Sequence, residues 1–320
     1  MTKIYKLQNQ IKHYDWGSPK LLPEFLGLKD NDPKKPYAEM WMGTHPSAPS
    51  LVSERGASLK EISGELNFLL KLIAVEKPLS IQVHPDKEQA REGFKKENEN
   101  GIEINSPLRN YKDQNAKNEI ICAVTPFTLM VGFKKPEDIY ASLGGLSNEK
   151  RELIKKLESL YPNDAGVYSP LYLNIITLQR GQGLFIPAGT PHSHISGLAV
   201  ELMTNSDNVV RCGLTNKHID IDEFKKITTP APFVPKIITP CGEQQTCYPL
   251  DGENFSLYCI QGGGVFLPPS EHSVCIVMEG ELKIDTHIFK KGDSFYVPSY
   301  GRDSPLLLEG NFSLFAARQE

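Results

Sequence analysis

The chain has 320 residues, a formal net charge of −4, 39% hydrophobic residues and 23% charged residues. This length is enough for two domains and a substantial core, and the composition is typical of a globular protein. The absence of a basic run or tail argues against nucleic acid as the main partner. No apolar run approaches the roughly 20 residues that span a bilayer, and the N-terminal residues lack the apolar core of a signal peptide, so we expect a cytoplasmic protein without a membrane partner.

Glycine and proline separate many short apolar runs, a pattern that predicts a mainly β chain. The predicted strands, in chain order, are PLSIQVH, EIICAVT, FTLMVGF, LYLNIITL, GLFIPAG, SVCIVMEG, ELKIDTHIF and FSLFAAR. Ser58 followed by Glu61 has the pattern of a capping box and predicts a short helix. Residues 135–162 are predicted to form a small helical insertion, because Pro136 suits a first helical position and leucines recur at helical spacing up to Pro162.

Four prolines between residues 228 and 243 mark a connector between two parts of the chain. We therefore predict a domain boundary near residue 235. The expected units are a β domain at 1–235, which contains the helical insertion, and a C-terminal β domain at 236–320.

A faint internal repeat supports this division. Gly181 is followed after five residues by Pro187, and Gly292 is followed by Pro298 at the same spacing. His192 follows the first copy, and the second copy has no histidine at the corresponding place. The repeat predicts two related barrels, of which only the first keeps the histidine. The alternative is chance, because such strand endings are common in β proteins.

The stretch GQGLFIPAGTPHSHISG ends a predicted strand at Pro187-Ala188-Gly189 and places His192 close behind the turn. Its G-x5-P-x-G-x2-H spacing resembles the second conserved motif of the cupin superfamily, whose small jelly-roll barrels usually hold a metal inside one mouth. The resemblance implies a mainly β fold of two cupin-like jelly-roll barrels, with His192 as a metal ligand. The expected units are then a catalytic cupin domain at 1–235 and a C-terminal cupin-like β domain without metal at 236–320. His194 shares a strand face with His192, and it either binds the metal too, supports a ligand or lines the substrate pocket. We favour the pocket wall.

Two further segments place polar side chains at alternate positions of predicted strands. Gln82 and His84 share one face of LSIQVH, and Lys117 and Glu119 stand just before a strongly apolar strand. Charged residues are costly to bury unless they are paired or bind a metal, so Glu119 is a candidate carboxylate ligand. The alternatives are a buried hydrogen-bonded Gln–His pair and an exposed strand start. Together with His192, these residues form an N/O ligand set that suits Zn²⁺, with Mn²⁺ and Fe²⁺ compatible by ligand type.

Several longer stretches, arriving in one order, resemble the type I phosphomannose isomerases in their compact bacterial form. They are YDWGS, AEMWMGTHPSAPS, KPLSIQVHPDK, AKNEI, GLFIPAGTPHSHISG and VELMTNSDNVVRCGLTNKHID, and they run from about residue 14 to residue 220. The resemblance implies one zinc ion per chain, held by Gln82, His84, Glu119 and His192. These are the same four residues that the strand patterns single out.

Polar residues in and near the matching stretches form the candidate pocket. The candidate catalytic residues are Arg211 of the S-D-N-x-x-R motif, Glu201 of VELM, and Lys117. The candidate substrate-binding residues are Lys71, Ser80, His194, Asp207 and Lys217, of which Lys71, Ser80 and Lys217 are expected at the phosphate.

The identity of the base stays open in the sequence. Arg211 remains protonated and suits charge stabilisation or ring opening, which leaves Glu201 and Lys117 as candidates. Glu201 alternatively orients Arg211 or a zinc histidine. Many family members carry a histidine where this chain has Ala116, so a mechanism that uses that histidine as base cannot operate here.

The resemblance implies the interconversion of D-mannose 6-phosphate and D-fructose 6-phosphate through a cis-enediol, with zinc stabilising negative charge on the sugar oxygens. Two alternatives stay open: a cupin enzyme with other chemistry, such as an oxygenase or another sugar-phosphate isomerase, and a non-catalytic metal-dependent sugar-binding protein. The Gln and Glu ligands disfavour an oxygenase, and the acid–base set disfavours a lectin. We expect a small sugar phosphate as partner and a monomer or weak homodimer.

Overall fold

The computed structural model describes residues 3–300 and 306–319 of the chain, and it confirms the mainly β fold expected from the sequence. Within these residues, twenty strands form two large antiparallel sheets. In chain order the strands are β1 (Tyr5–Gln8), β2 (Gln10–Lys12), β3 (Glu39–Gly43), β4 (Leu51–Val52), β5 (Phe68–Val75), β6 (Ile81–Val83), β7 (Glu119–Ala123), β8 (Phe127–Phe133), β9 (Leu173–Leu178), β10 (Gly183–Ile186), β11 (His192–Thr204), β12 (Val210–Gly213), β13 (Ile237–Ile238), β14 (Gln245–Pro249), β15 (Phe255–Gln261), β16 (Val265–Leu267), β17 (Ser270–Ile284), β18 (His287–Lys290), β19 (Ser294–Tyr300) and β20 (Leu306–Gln319).

Short helices connect the strands. They are α1 (Leu21–Leu26), α2 (Leu59–Ser63), α3 (Lys87–Glu99), α4 (Pro136–Gly144), α5 (Asn148–Leu160), α6 (Ile221–Ile227) and a 3₁₀ helix (Ala165–Leu171). Ser58 and Glu61 make the predicted capping box at α2, because each side chain accepts a hydrogen bond from the other's backbone N–H. The helices α4 and α5 lie inside the predicted insertion at 135–162. Among the described helices, none combines the length and the apolar character needed to cross a membrane.

The first sheet has eleven strands and follows the order β13-β10-β7-β11-β5-β3-β2. The second half of β11 pairs with β5 and β7, and its first half pairs with β6 and β8. Outward from these, β12 pairs with β6 and β9 pairs with β8. β11 therefore takes part in both halves of the first barrel, and residues from both of its ends lie in the same barrel interior.

Side-chain alternation sorts the residues of β5 and β7 between two apolar regions. Ile73 and Ile121 pack with the interior of the first barrel. Their neighbours Leu72 and Cys122 point the other way and pack in the core shared with the second sheet. Because both faces are buried, these strands read as continuous apolar runs rather than as alternating ones.

The second sheet has nine strands in the order β14-β15-β20-β17-β19-β1-β4, with β16 beside β20 and β18 beside β17. Apolar side chains fill its own core, where the rings of Phe289 and Phe295 stack with centroids 4.3 Å apart. Two such cores fit the expected pair of cupin-like barrels.

Segments from both sides of residue 235 cross between the sheets. β1 pairs with β19 in the second sheet, with Tyr5 opposite Tyr296, and β4 extends the same edge. β13 pairs with β10 in the first sheet, with Ile238 opposite Gly183. The division of the chain into 1–235 and 236–320 stays a prediction, and these exchanges tie the two proposed units together.

Tyr248 joins the two sheets at the centre of the shared core. Its ring is fully buried, and its hydroxyl donates a hydrogen bond to the Gly181 carbonyl over 2.6 Å. The ring lies so close to Gly183 that a Cβ there would come within 2.5 Å of it. Gly183 on β10 thus leaves the space that Tyr248 on β14 fills.

Tyr248→Ala is expected to lower the free energy of unfolding by about 3–5 kcal/mol, the usual range for truncating a large buried ring. Tyr248→Phe loses only the hydroxyl bond and is expected to cost about 1 kcal/mol. Urea unfolding measures both values, with Phe266→Ala as a control at a half-exposed ring. An alanine variant as stable as the phenylalanine variant contradicts the role given to the ring.

Candidate functional site

A β-bulge in β11 brings both ends of this strand to the same side of the first barrel. The register between β11 and β8 shifts between His194 and Ser196. Strand side chains alternate, so His192 and Glu201 would point to opposite faces of an unbroken strand. The extra residue at the bulge restores them to one side. Glu201 therefore lines a polar pocket, and His192 lies buried behind it.

The turn Pro187-Ala188-Gly189 sets the start of β11 against the end of β6. Gly189 has a φ of +81°, in the left-handed region that favours glycine, and a Cβ there would lie 2.6 Å from Thr229 Oγ1. The Gly189 N–H donates to the His84 carbonyl over 2.8 Å. The turn thereby fixes the segment that carries His192 beside the segment that carries His84.

Glu119 lies between two histidines in the barrel interior. Its Oε1 is 3.1 Å from His84 Nε2, and its Oε2 is 3.3 Å from His192 Nε2. All three side chains are buried, and their potential ligand atoms lie within 4.8 Å of one another. Gln82 lies directly opposite His192 in the pairing of β6 with β11, so the two side chains share a face.

Backbone carbonyls determine which ring nitrogen of His84 and of His192 carries the proton. His84 Nδ1 lies 2.8 Å from the Asn208 carbonyl, and His192 Nδ1 lies 3.0 Å from the Thr190 carbonyl. A carbonyl can only accept, so each Nδ1 carries the proton and each Nε2 presents a lone pair toward Glu119. Within the described part of the chain, His192 Nε2 and Glu119 Oε2 have no hydrogen-bond partner. Two oriented imidazoles and a carboxylate with free acceptor atoms fit a zinc ion.

The Lys117 ammonium lies against the same cluster. Its Nζ is 3.0 Å from Glu119 Oε1 and 3.2 Å from His84 Nε2. Burial would raise the pKa of Glu119, but the surrounding groups, among which the charge of Lys117 has the largest effect, outweigh it, and this pKa lies well below its usual range. Burial, followed by the charge of Lys117, lowers the pKa of His84 to about 3. At neutral pH the carboxylate is ionised and His84 is uncharged, which are the states that bind metals.

A cavity of about 340 Å³ opens beside the cluster. The predicted site residues that line it are Lys71, Ser80, Gln82, Lys117, Glu119, His194, Glu201, Asp207, Arg211 and Lys217. The other two predicted residues, His84 and His192, lie buried behind the cavity. The structure therefore brings all the predicted residues to one place, and their individual roles stay predictions.

Lys71 lies in a row of side chains that crosses three strands. Trp41, Lys71 and Glu201 are direct neighbours in the pairing of β3, β5 and β11. Lys71 Nζ is 3.0 Å from Glu201 Oε2 and 3.8 Å from Glu39 Oε1, and Trp41 Nε1 donates to Glu39 Oε2 over 2.6 Å. Burial would lower the pKa of Lys71, but the two carboxylates outweigh it and raise this pKa, so the lysine is charged.

The carboxylates of Glu201 and Asp207 differ in their environment. Burial raises the pKa of Glu201, and Lys71 only partly offsets this effect. Burial acts on Asp207 in the same direction, but the hydrogen bond with His45 outweighs it and lowers the pKa of Asp207. His45 Nε2 lies 3.2 Å from Asp207 Oδ2, and the Asp207 N–H donates to Asp113 Oδ2 over 3.0 Å. Asp207 is thus a fixed charge, whereas Glu201 is the more basic group.

Two cations lie together at another part of the pocket. Arg211 is placed opposite Gln82 by the pairing of β12 with β6, and Lys217 Nζ lies 5.2 Å from the centre of the Tyr14 ring. Burial lowers the pKa of Arg211, and burial together with repulsion from Arg211 lowers the pKa of Lys217. Among the described residues, neither cation forms a salt bridge with a carboxylate. Their charge is therefore available to an anionic ligand.

Sequence reasoning missed two residues that shape the site. Tyr161, which follows α5, lines the cavity and donates its hydroxyl to the Pro78 carbonyl over 2.7 Å. Asn208 is fully buried and accepts hydrogen bonds from the N–H groups of Lys112 and Asp113. The only signal for Tyr161 was an aromatic residue at the end of the helical insertion. Asn208 belongs to the S-D-N motif, but the motif does not predict its hydrogen bonds with Lys112 and Asp113.

Comparison with known proteins identifies the family to which this site is similar. Residues 4–136 match the family model described as phosphomannose isomerase type I, catalytic domain. The mannose-6-phosphate isomerase of Salmonella typhimurium is 32% identical, over 92% of this chain and 94% of that protein. That of Escherichia coli is 30% identical, over 96% and 97%. A crystal structure of the Salmonella typhimurium enzyme bound to fructose 6-phosphate and zinc superposes with a TM-score of 0.85 at 30% identity, covering 99% of each chain.

Lys71→Met removes the charge between Glu39 and Glu201 and is expected to lower the free energy of unfolding by about 3–5 kcal/mol at neutral pH. The loss of Lys71 raises the already raised pKa of Glu201, so the folded variant keeps a proton that the unfolded chain releases above about pH 4.3. The parent protein has a raised pKa at Glu201 as well, so the deficit grows with pH between the folded-state pKa values of the two proteins, and it is smaller at pH 5 than at pH 7.

Urea unfolding of both proteins at pH 7 and pH 5 measures this change, with Lys155→Met as the control because Lys155 is 62% exposed. A Lys71→Met deficit that is the same at both pH values contradicts the electrostatic explanation.

Proposed function

Because the chain belongs to the type I phosphomannose isomerase family, we propose that the pocket of its first barrel interconverts D-mannose 6-phosphate and D-fructose 6-phosphate. The chain is a zinc-dependent aldose–ketose isomerase. One observation supports placing the reaction in this pocket. The buried cluster of His84, Glu119 and His192 directs Nε2 and carboxylate atoms, two of them without a partner, to one point beside a cavity with free cations.

We assign the zinc ion to Gln82, His84, Glu119 and His192. The two histidines and the carboxylate have the donor types that zinc prefers, and Gln82 shares the face of His192. When bound, the ion supplies Lewis acidity toward the oxygens at the reacting end of the sugar. The carbonyls of Asn208 and Thr190 keep the two rings in the tautomer that leaves Nε2 free.

The reaction moves a proton between C2 and C1, so a base must reach the C–H group. Glu201 suits this role, because it lines the cavity and burial raises its pKa toward neutrality. Lys71, expected at the phosphate, instead contacts Glu201 and Glu39, and we assign it to holding the base. Lys117 stays beside Glu119, where its ammonium stabilises negative charge on the sugar oxygens.

The remaining polar residues suit the other end of the substrate. Lys217 has no carboxylate partner within the described chain, and we assign it to the phosphate together with the Ser80 hydroxyl. Arg211 lies opposite Gln82 and stays protonated, so it stabilises negative charge between the zinc ligands and the phosphate. Asp207 is fixed by His45 and Asp113 and offers a carboxylate to a sugar hydroxyl.

We further propose that the enzyme acts in the cytoplasm as a monomer or weak homodimer, without a nucleic-acid or membrane partner. A net charge of −4 with no basic run supports this. We also propose that residues 1–235 carry the catalytic site and that residues 236–320 support it. The apolar filling of the second core favours a supporting role.

Removal of the metal is the direct test of the function. Chelation is expected to abolish turnover of mannose 6-phosphate, and one equivalent of zinc per chain is expected to restore it, because the ligand set fits a single ion. A coupled assay of fructose 6-phosphate and elemental analysis of the protein measure both quantities. A folded, zinc-loaded sample without turnover contradicts the isomerase function and favours a binding protein.

Lys217→Ala tests the phosphate end of the pocket. The loss of one charge-assisted hydrogen bond, worth about 1.5–3 kcal/mol, is expected to raise KM for mannose 6-phosphate about 10- to 100-fold with little change in kcat. Steady-state kinetics measures the change, and Lys155→Ala on the exposed face of α5 is the matched control. An unchanged KM, or a fall in kcat alone, is inconsistent with phosphate binding by Lys217.

A further inference from the structure

Asn118 stands in the chain between two residues of the proposed zinc site. Its neighbours Lys117 and Glu119 are buried in the first barrel. The Asn118 side chain contacts groups outside that cluster, because its Oδ1 accepts a hydrogen bond from the Ala188 N–H over 2.9 Å and its Nδ2 donates to Glu253 Oε1 over 2.8 Å. One amide thus joins the segment that carries Glu119 to the turn before β11 and to the C-terminal part of the chain.

The carboxylate of Glu253 determines the orientation of this amide. A carboxylate accepts hydrogen bonds, so it faces the NH₂ group of Asn118. The oxygen of the same planar amide then faces the Ala188 N–H, which can only donate. Rotation of the amide by half a turn would place its NH₂ group against this N–H and lose both bonds. Glu253 therefore stabilises the one orientation in which Asn118 holds Ala188.

Thr204, the last residue of β11, closes the network. Its hydroxyl accepts from the Asn118 N–H over 3.3 Å and donates to Glu253 Oε1 over 3.3 Å. Its own N–H donates to the Asn118 carbonyl over 3.1 Å. The network therefore connects the start of β7 with the turn before β11 and with the far end of β11, the strand that begins at His192.

The second sheet sets the position of Glu253. The residue lies in the turn between β14 and β15, where its N–H donates to the Leu250 carbonyl over 3.1 Å. Two residues further along, the Phe255 ring lies 5.7 Å from the ring of Phe68 on β5. The turn is thus held against the first barrel by packing in the shared core.

The turn Pro187-Ala188-Gly189 provides the link from this network to the metal ligands. Its Gly189 N–H donates to the His84 carbonyl, and the next carbonyl, that of Thr190, accepts from His192 Nδ1. A displaced turn would therefore shift both histidines relative to Glu119. Groups that hold metal ligands in place from outside the coordination shell typically contribute 10- to 100-fold to metal affinity or activity.

We propose that Glu253 is a positioning residue for the zinc site, which acts through Asn118 on the turn before His192. This inference rests on the proposed function and its zinc ligands, and it gives the C-terminal part of the chain a specific role there. Glu253 lines a separate cavity of about 500 Å³ rather than the one beside the ligand cluster. Its effect on the metal is therefore transmitted by hydrogen bonds and not by direct contact.

Glu253→Ala in the full chain tests the proposal. We expect the zinc dissociation constant to rise about 10-fold, as measured by competition with a chromogenic chelator, while the circular dichroism spectrum of the zinc-loaded protein stays that of the parent. Glu65→Ala is the matched control, because it removes another carboxylate of the same cavity whose side chain is 63% exposed. A Glu253→Ala protein that binds zinc as tightly as the parent overturns the proposal and leaves Glu253 as a docking contact.

Glu253→Gln separates positioning from charge. The new amide keeps an oxygen that accepts from Asn118 Nδ2, so we expect zinc affinity within about twofold of the parent. If this variant binds zinc as weakly as Glu253→Ala, the loss comes from the missing negative charge, and positioning by Glu253 is wrong.

Asn118→Ala identifies the path of the effect. We expect this variant to weaken zinc binding, and we expect no further loss when Glu253→Ala is added, because both residues act through one amide. Independent losses that multiply in the double variant contradict this path and overturn the proposal. If the parent protein itself binds no zinc or has no turnover, the proposed function fails, which is distinct from failure at Glu253.

Discussion

An ionised carboxylate at 2% exposure, Glu119, is the constraint on which the first barrel depends. A buried charge is tolerated only where partners replace the water that it has lost. Lys117 supplies one such partner over 3.0 Å, and His84 and His192 bring Nε2 atoms from two other segments to the same carboxylate, an arrangement that fits a metal ion. The barrel must therefore hold the end of β6, the start of β7 and the start of β11 in one arrangement. The turn at Gly189 and the carbonyls of Thr190 and Asn208 serve this need.

Along the strands of the first barrel, the residues that pack the apolar core and the residues that line the cavity occupy different positions. Ile73 and Ala123 pack in the apolar part of the interior, whereas Lys71 and Glu119, two and four residues before them, face the cavity. The alternate face of each strand packs against the second sheet. The polar groups thus lie on strands that are buried on both faces, and this packing restricts the positions of their side chains. In this arrangement Lys71 and Lys117 pair with Glu201 and Glu119, whereas Arg211 and Lys217 form no salt bridge among the described residues.

The sequence predicted the ligand cluster because local pattern and family resemblance both pointed to it. Gln82 and His84 stand at alternate positions on one strand face. The turn Pro187-Ala188-Gly189 lies shortly before His192 and predicts its place. The bulge after His194 could not be predicted, because HSHISGLAVELM has no regular alternation of polar and apolar residues and gives no register. From the sequence, Lys71 in FLLKLIAV is expected at the phosphate, and its contact with Glu201, 130 residues away, has no local signal. The contribution of Tyr161 depended on how the helical insertion docks, and that is a property of the tertiary structure alone.

The membership of β1 in the second sheet has a consequence for synthesis of the chain. Tyr5 pairs with Tyr296, so β1 leaves the ribosome about 290 residues before this partner is made. At about 5–20 residues per second this interval is roughly 15–60 s. During that time β1 offers an unpaired edge, the kind of surface that other chains can join. Formation of the second sheet therefore also covers the exposed edge of β1. The nascent protein is protected from pairing with other chains at this edge only after β19 has been made.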